Sequence, residues 1–186
     1  MKEACGVFGI YAPGADIAHL TFDGIFALQH RGQESAGMAV AEGDTVTVVK
    51  DNGLVASVFD DRTLQSLSGD LAIGHTRYST AGSSDWRSAQ PVFRAVGASG
   101  FALSHNGNLT NTEDLAERLG ALPGLGLTDS DLLAELIARS YDAHLAEGYT
   151  LREALFETLP HVEGAFSLTI LDGSHIWGVR DPHGFR

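Results

Sequence analysis

The feature that most constrains this fold is the way short β-favouring runs are joined by tight turn signals instead of helical crossovers. Gly37 to Ala41 and Thr45 to Lys50 flank Glu42-Gly43-Asp44, and the alternation in Thr45-Val-Thr-Val-Val49 suits a half-buried strand, so a hairpin is predicted there. Pro91 to Val96 and Phe101 to His105 flank Gly97-Ala-Ser-Gly100, and Ala165 to Leu171 and His175 to Arg180 flank Asp172-Gly173-Ser174. Turns this short join antiparallel neighbours, because a parallel pair needs a crossover of roughly a dozen residues or more. The chain therefore reads as α+β, with helices packed on antiparallel sheets rather than on a doubly wound parallel one.

The other segments fill in around the hairpins. Cys5-Gly-Val-Phe-Gly-Ile-Tyr11 reads as a first strand ending at Ala12-Pro13-Gly14. Asp16 is predicted to cap a helix that turns Ile17, Leu20, Gly24 and Leu28 inward and runs to about Gln29-His30, before a polar loop from Arg31 to Ser35. A short helix is expected near Ser57 to Leu67, and a strand from Leu71 to Tyr78 leads into a loop over 79–85. Further helices are expected from Asn111 or Thr112 to Leu119, and from an N-cap at Asp129 to about Leu145 with Leu132, Leu133, Leu136 and Ile137 on one face. A third begins at the capping-box signature Thr150-x-x-Glu153.

Composition narrows the function classes. With 12 Lys+Arg against 24 Asp+Glu the formal charge is −12, the wrong sign for a phosphate-binding surface, so nucleic acid is a poor partner. Cys5 is the single cysteine, which excludes an internal disulfide, and a zinc ribbon or iron–sulfur cluster ligated by this chain alone. A reducing, cytoplasmic compartment fits. No signal-peptide core and no apolar run of membrane-spanning length occur, and no repeat or linker divides the 186 residues, which read as one domain.

Cys5 is either a small buried hydrophobe or a nucleophile, and a thiol needs a base to act as one. An N-terminal cysteine would carry its own base in the α-amine, with an unperturbed pKa of about 7.7–8, but four residues precede it here. Three glycine-containing polar segments offer donors beside close backbone approaches: Gln29-His-Arg-Gly-Gln-Glu-Ser-Ala-Gly37, Gly74-His-Thr-Arg-Tyr-Ser-Thr-Ala-Gly82 and Ser104-His-Asn-Gly-Asn-Leu109. Each has a plainer reading. Arg31 and Arg77 can be surface cations or structural ion pairs, Asn106-Gly107 a type I′ turn, Asp129 an N-cap. His30, His75 and His105 can be structural, a Cys–His dyad with Cys5 or a metal cluster, though no metal-ligand spacing such as H-E-x-x-H occurs.

Taken in order, Cys5-Gly-Val-Phe-Gly-Ile10, Gln29-His-Arg-Gly-Gln33, Gly74-His-Thr-Arg-Tyr-Ser-Thr-Ala-Gly82, His105-Asn-Gly-Asn108, Thr128-Asp-Ser-Asp131 and Arg180-Asp-Pro-His-Gly184 resemble the glutaminase domain of class II glutamine amidotransferases. Within the class, the motifs resemble the branch that aminates phosphoribosyl pyrophosphate at the first committed step of purine synthesis. The alternatives are the same glutaminase serving aminosugar, asparagine or glutamate synthesis, and a catalytically silent relative, which should have lost some pocket residues.

The resemblance implies a four-layer αββα sandwich of the N-terminal-nucleophile hydrolase type. It implies that Cys5 is the nucleophile and that Asn106 and Gly107 form the oxyanion hole. Arg77 would hold the α-carboxylate of glutamine and Asp129 its α-ammonium, with Arg31 and Gly32 lining the pocket. It further implies that residues 1–4 are a propeptide and that 5–186 are a glutaminase domain, truncated at its C-terminal end and followed in the parent by a phosphoribosyltransferase domain. No cofactor or metal is expected in this chain; magnesium, and an iron–sulfur cluster where one is ligated, would belong to the rest of the parent. The expected partners are glutamine and the acceptor domain, in a homo-oligomeric full-length enzyme without membrane or nucleic-acid contacts.

Overall fold

The computed structural model describes residues 5–78, 86–121 and 127–186. β1 (Gly6–Tyr11) is followed by α1 (Ile17–Ala27), a 3₁₀ turn over Gln29–Arg31 and the hairpin of β2 (Ser35–Glu42) and β3 (Thr45–Asn52). Two short helices, α2 (Val55–Val58) and α3 (Asp61–Gln65), lead into β4 (Leu71–Arg77). The second half comprises β5 (Val92–Val96), β6 (Ser99–Leu109), α4 (Thr112–Arg118), α5 (Asp129–Ala143), α6 (Leu151–Thr158), β7 (Gly164–Leu171) and β8 (Ile176–Arg180).

The strands form two four-stranded sheets, ordered β1-β4-β2-β3 and β5-β6-β7-β8, in which every pairing is antiparallel. The period-2 alternation of β2 assigns its two faces: Ala36, Met38 and Val40 pack with Ile17, Ala18 and Ile25 of α1, whereas Ala39 and Ala41 meet Ile73, Ala102 and Leu171 between the sheets. On the far side, Phe101, Leu103 and Ile170 pack against Leu133 and Ile137 of α5 and Leu155 of α6. The layers run helix, sheet, sheet, helix, as the αββα expectation requires. Alanines on the inner faces let the sheets approach closely.

Three expectations need correction. Leu20 is 40% exposed and Thr21 is buried in its place on α1. Thr21 Oγ1 donates to the Ile17 carbonyl at 2.7 Å, which satisfies the hydroxyl inside the helix and allows the residue to face Gly74 of β4. The helix expected over 57–67 is divided, because Asp60 starts a new one by accepting from the Thr63 N–H at 2.7 Å. Asn106-Gly107 is no turn: both residues lie inside β6, opposite Ser167 and Phe166 of β7. Asp16 and the Thr150–Glu153 box cap their helices as expected. The loop over 79–85 and the residues 1–4 lie outside the described residues.

Candidate active site

Pairing of β1 with β4 sets Gly6 opposite Thr76, so Cys5, the residue before β1, falls beside Arg77 and Tyr78. Cys5 Sγ donates to the Tyr78 carbonyl at 3.8 Å, and the next amide, Gly6 N–H, donates to Thr76 Oγ1 at 3.2 Å. Arg31 Nε donates to the Cys5 carbonyl at 3.4 Å. Gly32 lies flat on β4: a Cβ there would come within 2.5 Å of the Arg77 carbonyl carbon, so no other residue lets the 3₁₀ turn deliver Arg31 to Cys5. Arg77 is half-buried and is steadied by a 2.8 Å bond from its guanidinium to Ser88 Oγ.

The second sheet supplies the opposite wall. His75 Nε2 reaches the His105 carbonyl at 3.1 Å and ties β4 to β6. A carbonyl only accepts, so this ring nitrogen carries the proton, and the ring is neutral: full burial lowers the His75 pKa from 6.5 to about 3. Asn106 is 8% exposed, and its side-chain amide makes no hydrogen bond among the described residues. Gly107 must be glycine, since a Cβ would lie 2.1 Å from the Ala165 carbonyl oxygen on β7.

Asp129 opens α5 but does not cap it. Thr128 is the N-cap, in a reciprocal box with Asp131: Thr128 Oγ1 accepts from Asp131 N–H at 3.1 Å, and Asp131 Oδ2 accepts from Thr128 N–H at 3.2 Å. The Asp129 carboxylate is thereby left to accept from Leu109 N–H at 3.3 Å and Ser130 N–H at 2.8 Å, with His105 Nδ1 at 3.7 Å. Burial pushes its pKa up, but the His105 ring and these two amides outweigh that effect, and the carboxyl is held below its ordinary value. Burial pushes the Cys5 thiol up; the Arg77 charge opposes that shift and the Asp129 charge adds to it, so both groups act on the sulfur.

Of the residues singled out in the sequence, Arg31 reaches Cys5, Gly32 packs on Arg77, and the Arg77 and Asp129 charges both act on the Cys5 sulfur, while Asn106 and Gly107 follow His105 on the strand that meets β4 through His75. The histidines do not form a dyad with Cys5. The Sγ bond goes to Tyr78, His30 Nδ1 bonds the Ala27 carbonyl at 3.0 Å, and His105 Nδ1 bonds Ser130 Oγ at 3.0 Å. No group of three or more metal-ligating side chains occurs among the described residues. Sequence reasoning missed Gln90, a single polar residue with no motif of its own, and assigned no role to Ser130 within Thr128-Asp-Ser-Asp131; the fold brings both into contact with His105.

This fold belongs to a known class. The chain is a member of the class II glutamine amidotransferases, whose family model matches residues 18–183. It is 52% identical over 193 aligned residues to the amidophosphoribosyltransferase of Mycobacterium leprae, covering 100% of this chain and 34% of that protein. It is 50% identical to the amidophosphoribosyltransferase of Synechococcus elongatus, covering 100% of this chain and 37% of that protein. Among solved structures it superposes on the glutamine phosphoribosylpyrophosphate amidotransferase of B. subtilis complexed with ADP and GMP, with a TM-score of 0.78, 32% identity, and coverage of 98% of this chain and 38% of that one. The chain spans a little over a third of the length of these relatives, and the shared part is the αββα sandwich of the N-terminal-nucleophile hydrolases.

Proposed function

We propose that this chain is the glutaminase domain of an amidophosphoribosyltransferase, and that Cys5 becomes its N-terminal nucleophile when residues 1–4 are removed. The supporting observation is the convergence of a half-buried thiol with a cation, an anion and an unpartnered amide. The burial that raises the Cys5 thiol pKa leaves it protonated near neutral pH, so a local base has to form the thiolate. While Ala4 is attached, the Cys5 nitrogen is an amide and cannot serve. A freed α-amine, titrating near pH 8, can.

In this reading Arg77 holds the glutamine α-carboxylate, Asp129 its α-ammonium, and Arg31 and Gly32 complete the pocket, so that a free amino acid is selected over a peptide-bound side chain. The amine takes the thiol proton, sulfur attacks the side-chain amide carbon, and the oxyanion is held by Asn106 Nδ2 and Gly107 N–H. The amine then returns a proton to the departing nitrogen, leaving ammonia and a γ-glutamyl thioester. Water attacks the thioester, the sulfur leaves, and glutamate is released. Ammonia is passed to phosphoribosyl pyrophosphate in the remainder of the parent protein, giving phosphoribosylamine. Magnesium, where required, serves that second half. A reducing compartment suits an enzyme that depends on one free thiol.

The test is glutamate release by the complete protein, with intact-mass analysis of its N-terminus. Active protein begins at Cys5, and Cys5→Ala abolishes hydrolysis. Full activity with Met1 retained would refute the processing step, and hydrolysis by Cys5→Ala would refute the nucleophile.

A further inference from the structure

We propose that Gln90 is a positioning residue that sets the distance between the oxyanion side of the site and its ammonium side, a role that rests on the glutaminase reading above. Gln90 is 7% exposed and lies between the 3₁₀ turn Trp86–Ser88 and β5. Its Oε1 accepts from the backbone N–H of His105 on β6 at 2.6 Å, and its Nε2 donates to Ser130 Oγ on α5 at 3.1 Å. The orientation of the amide is dictated by chemistry, because a backbone N–H can only donate; the oxygen must face His105, which leaves the NH₂ for Ser130.

Each end of this bridge stops one residue short of a group proposed to touch substrate. His105 precedes Asn106, and Ser130 follows Asp129. Sheet topology explains why a side chain is needed here. β5 pairs with β6 only as far as Val92 opposite Leu103, so the strand that would supply an acceptor to His105 N–H has already ended. Gln90 Oε1 stands in for that missing carbonyl. His105 Nδ1 to Ser130 Oγ, at 3.0 Å, closes the three residues into a ring.

The bridge is also anchored from behind. A Cβ on Gly37 of β2 would lie 2.1 Å from the Gln90 carbonyl oxygen, so that segment lies directly on the first sheet. The neighbouring Ala89 carbonyl accepts from Lys50 Nζ of β3. Gln90 therefore references both β6 and the start of α5 to the sheet that carries Cys5 and Arg77. Catalytic geometry is sensitive at this level, since a misplacement of about 1 Å can cost roughly a hundredfold in rate.

The two ends predict different kinetic signatures. Gln90→Met preserves length but removes both bonds; it should lower kcat for glutamine hydrolysis by about tenfold to a hundredfold, on the same misplacement scale, and raise KM. Ser130→Ala keeps the bond from His105 N–H to Gln90 but removes those of the Ser130 hydroxyl to Gln90, to the His105 ring and to the Asp129 carboxylate; it should raise KM several-fold and keep kcat within about threefold of wild type. Cys5 should remain open to alkylation by iodoacetamide in both variants, which shows that the nucleophile is still in place. The measurement is steady-state glutaminase kinetics on the complete protein, with Cys5→Ala as control. A wild-type kcat in Gln90→Met overturns the bridge, as does a fall in kcat at unchanged KM in Ser130→Ala. If Gln90→Met does not fold, Ser130→Ala decides alone, and an unchanged KM sinks the proposal. A wild-type protein that releases no glutamate overturns the glutaminase reading itself and the bridge with it.

Discussion

Asn106 is nearly buried, yet its side-chain amide bonds nothing among the described residues. Such an amide adds no intramolecular hydrogen bond to the stability of the free protein and stays available to a ligand. A hydrogen bond to an arriving ligand oxygen is strongest when that oxygen is charged, which is the property wanted of an oxyanion donor. Asn106→Ala should therefore lower kcat for glutamine hydrolysis by about 10²–10³-fold, the range seen for such deletions, with little change in KM. Arg77→Lys should do the reverse, raising KM through loss of planar, bidentate carboxylate recognition. Steady-state kinetics on the two variants separates them, and a wild-type kcat in Asn106→Ala would remove it from the reaction. From sequence, the turn reading of Asn106-Gly107 is the stronger one, because Asn-Gly is a strong hairpin signal and follows a strand. What sets Gly107 is instead the Ala165 carbonyl on β7, 58 residues further along the chain and invisible to local pattern.

At the scale of elements, α5 shows how a cap frees a functional residue. Thr and Asp are both good N-cap residues, and the expectation of a cap at Asp129 is off by one position. Asp131 explains the shift: only Thr128 has an acidic residue at N3 able to return a bond to its own amide. With the capping role taken, the Asp129 carboxylate turns to Leu109 and Ser130 and faces the site. Thr128→Ala should cost about 1 kcal/mol of stability, as lost N-caps do, measured by urea unfolding. Because Asp129 rides on the first turn of α5, the same variant should raise KM for glutamine, and a stability loss with unchanged KM would separate the cap from the site. The exposure of Leu20 belongs to this scale too. Its spacing from Ile17 was helical, but the shallow surface offered by Gly74 on β4 accepts Thr21 and Ile25, and the helix rotates to suit it.

At the scale of the molecule, His75 joins the two sheets beneath the site, and its burial makes stability depend on pH. Desolvation lowers its pKa from 6.5 to about 3; the bond to the His105 carbonyl opposes this, while the charges of His105, Arg77 and Lys50 add to it. Above pH 6.5 the imidazole is neutral in both folded and unfolded chains and contributes no pH dependence. As the pH falls from 6.5 towards about 3, the unfolded chain binds a proton that the folded chain refuses. Stability should therefore decline across that window by about 1.4 kcal/mol per pH unit from this group. Asp129, held below its usual value, adds to the loss at the acid end. His75→Gln can keep an N–H donor for His105 but does not titrate, so its denaturant midpoint should fall less steeply with acid. An unchanged slope would assign the proton uptake elsewhere.

The sequence by itself determined the antiparallel character of both sheets and most helix ends, and its ordered motifs named the residues proposed for the site. These are local quantities: turn length selects antiparallel pairing, a period of two selects a strand face, and a cap needs only its third neighbour. Tertiary structure alone decided that β4 inserts between β1 and β2, that Asn106-Gly107 is strand rather than turn, and that Gln90 takes the place of a strand partner for β6. Each of those depends on a contact between segments far apart in the chain. Many pairings satisfy the same local pattern, and only joint burial of the apolar faces of all four layers selects the one that brings Cys5, Arg77, Asn106 and Asp129 together.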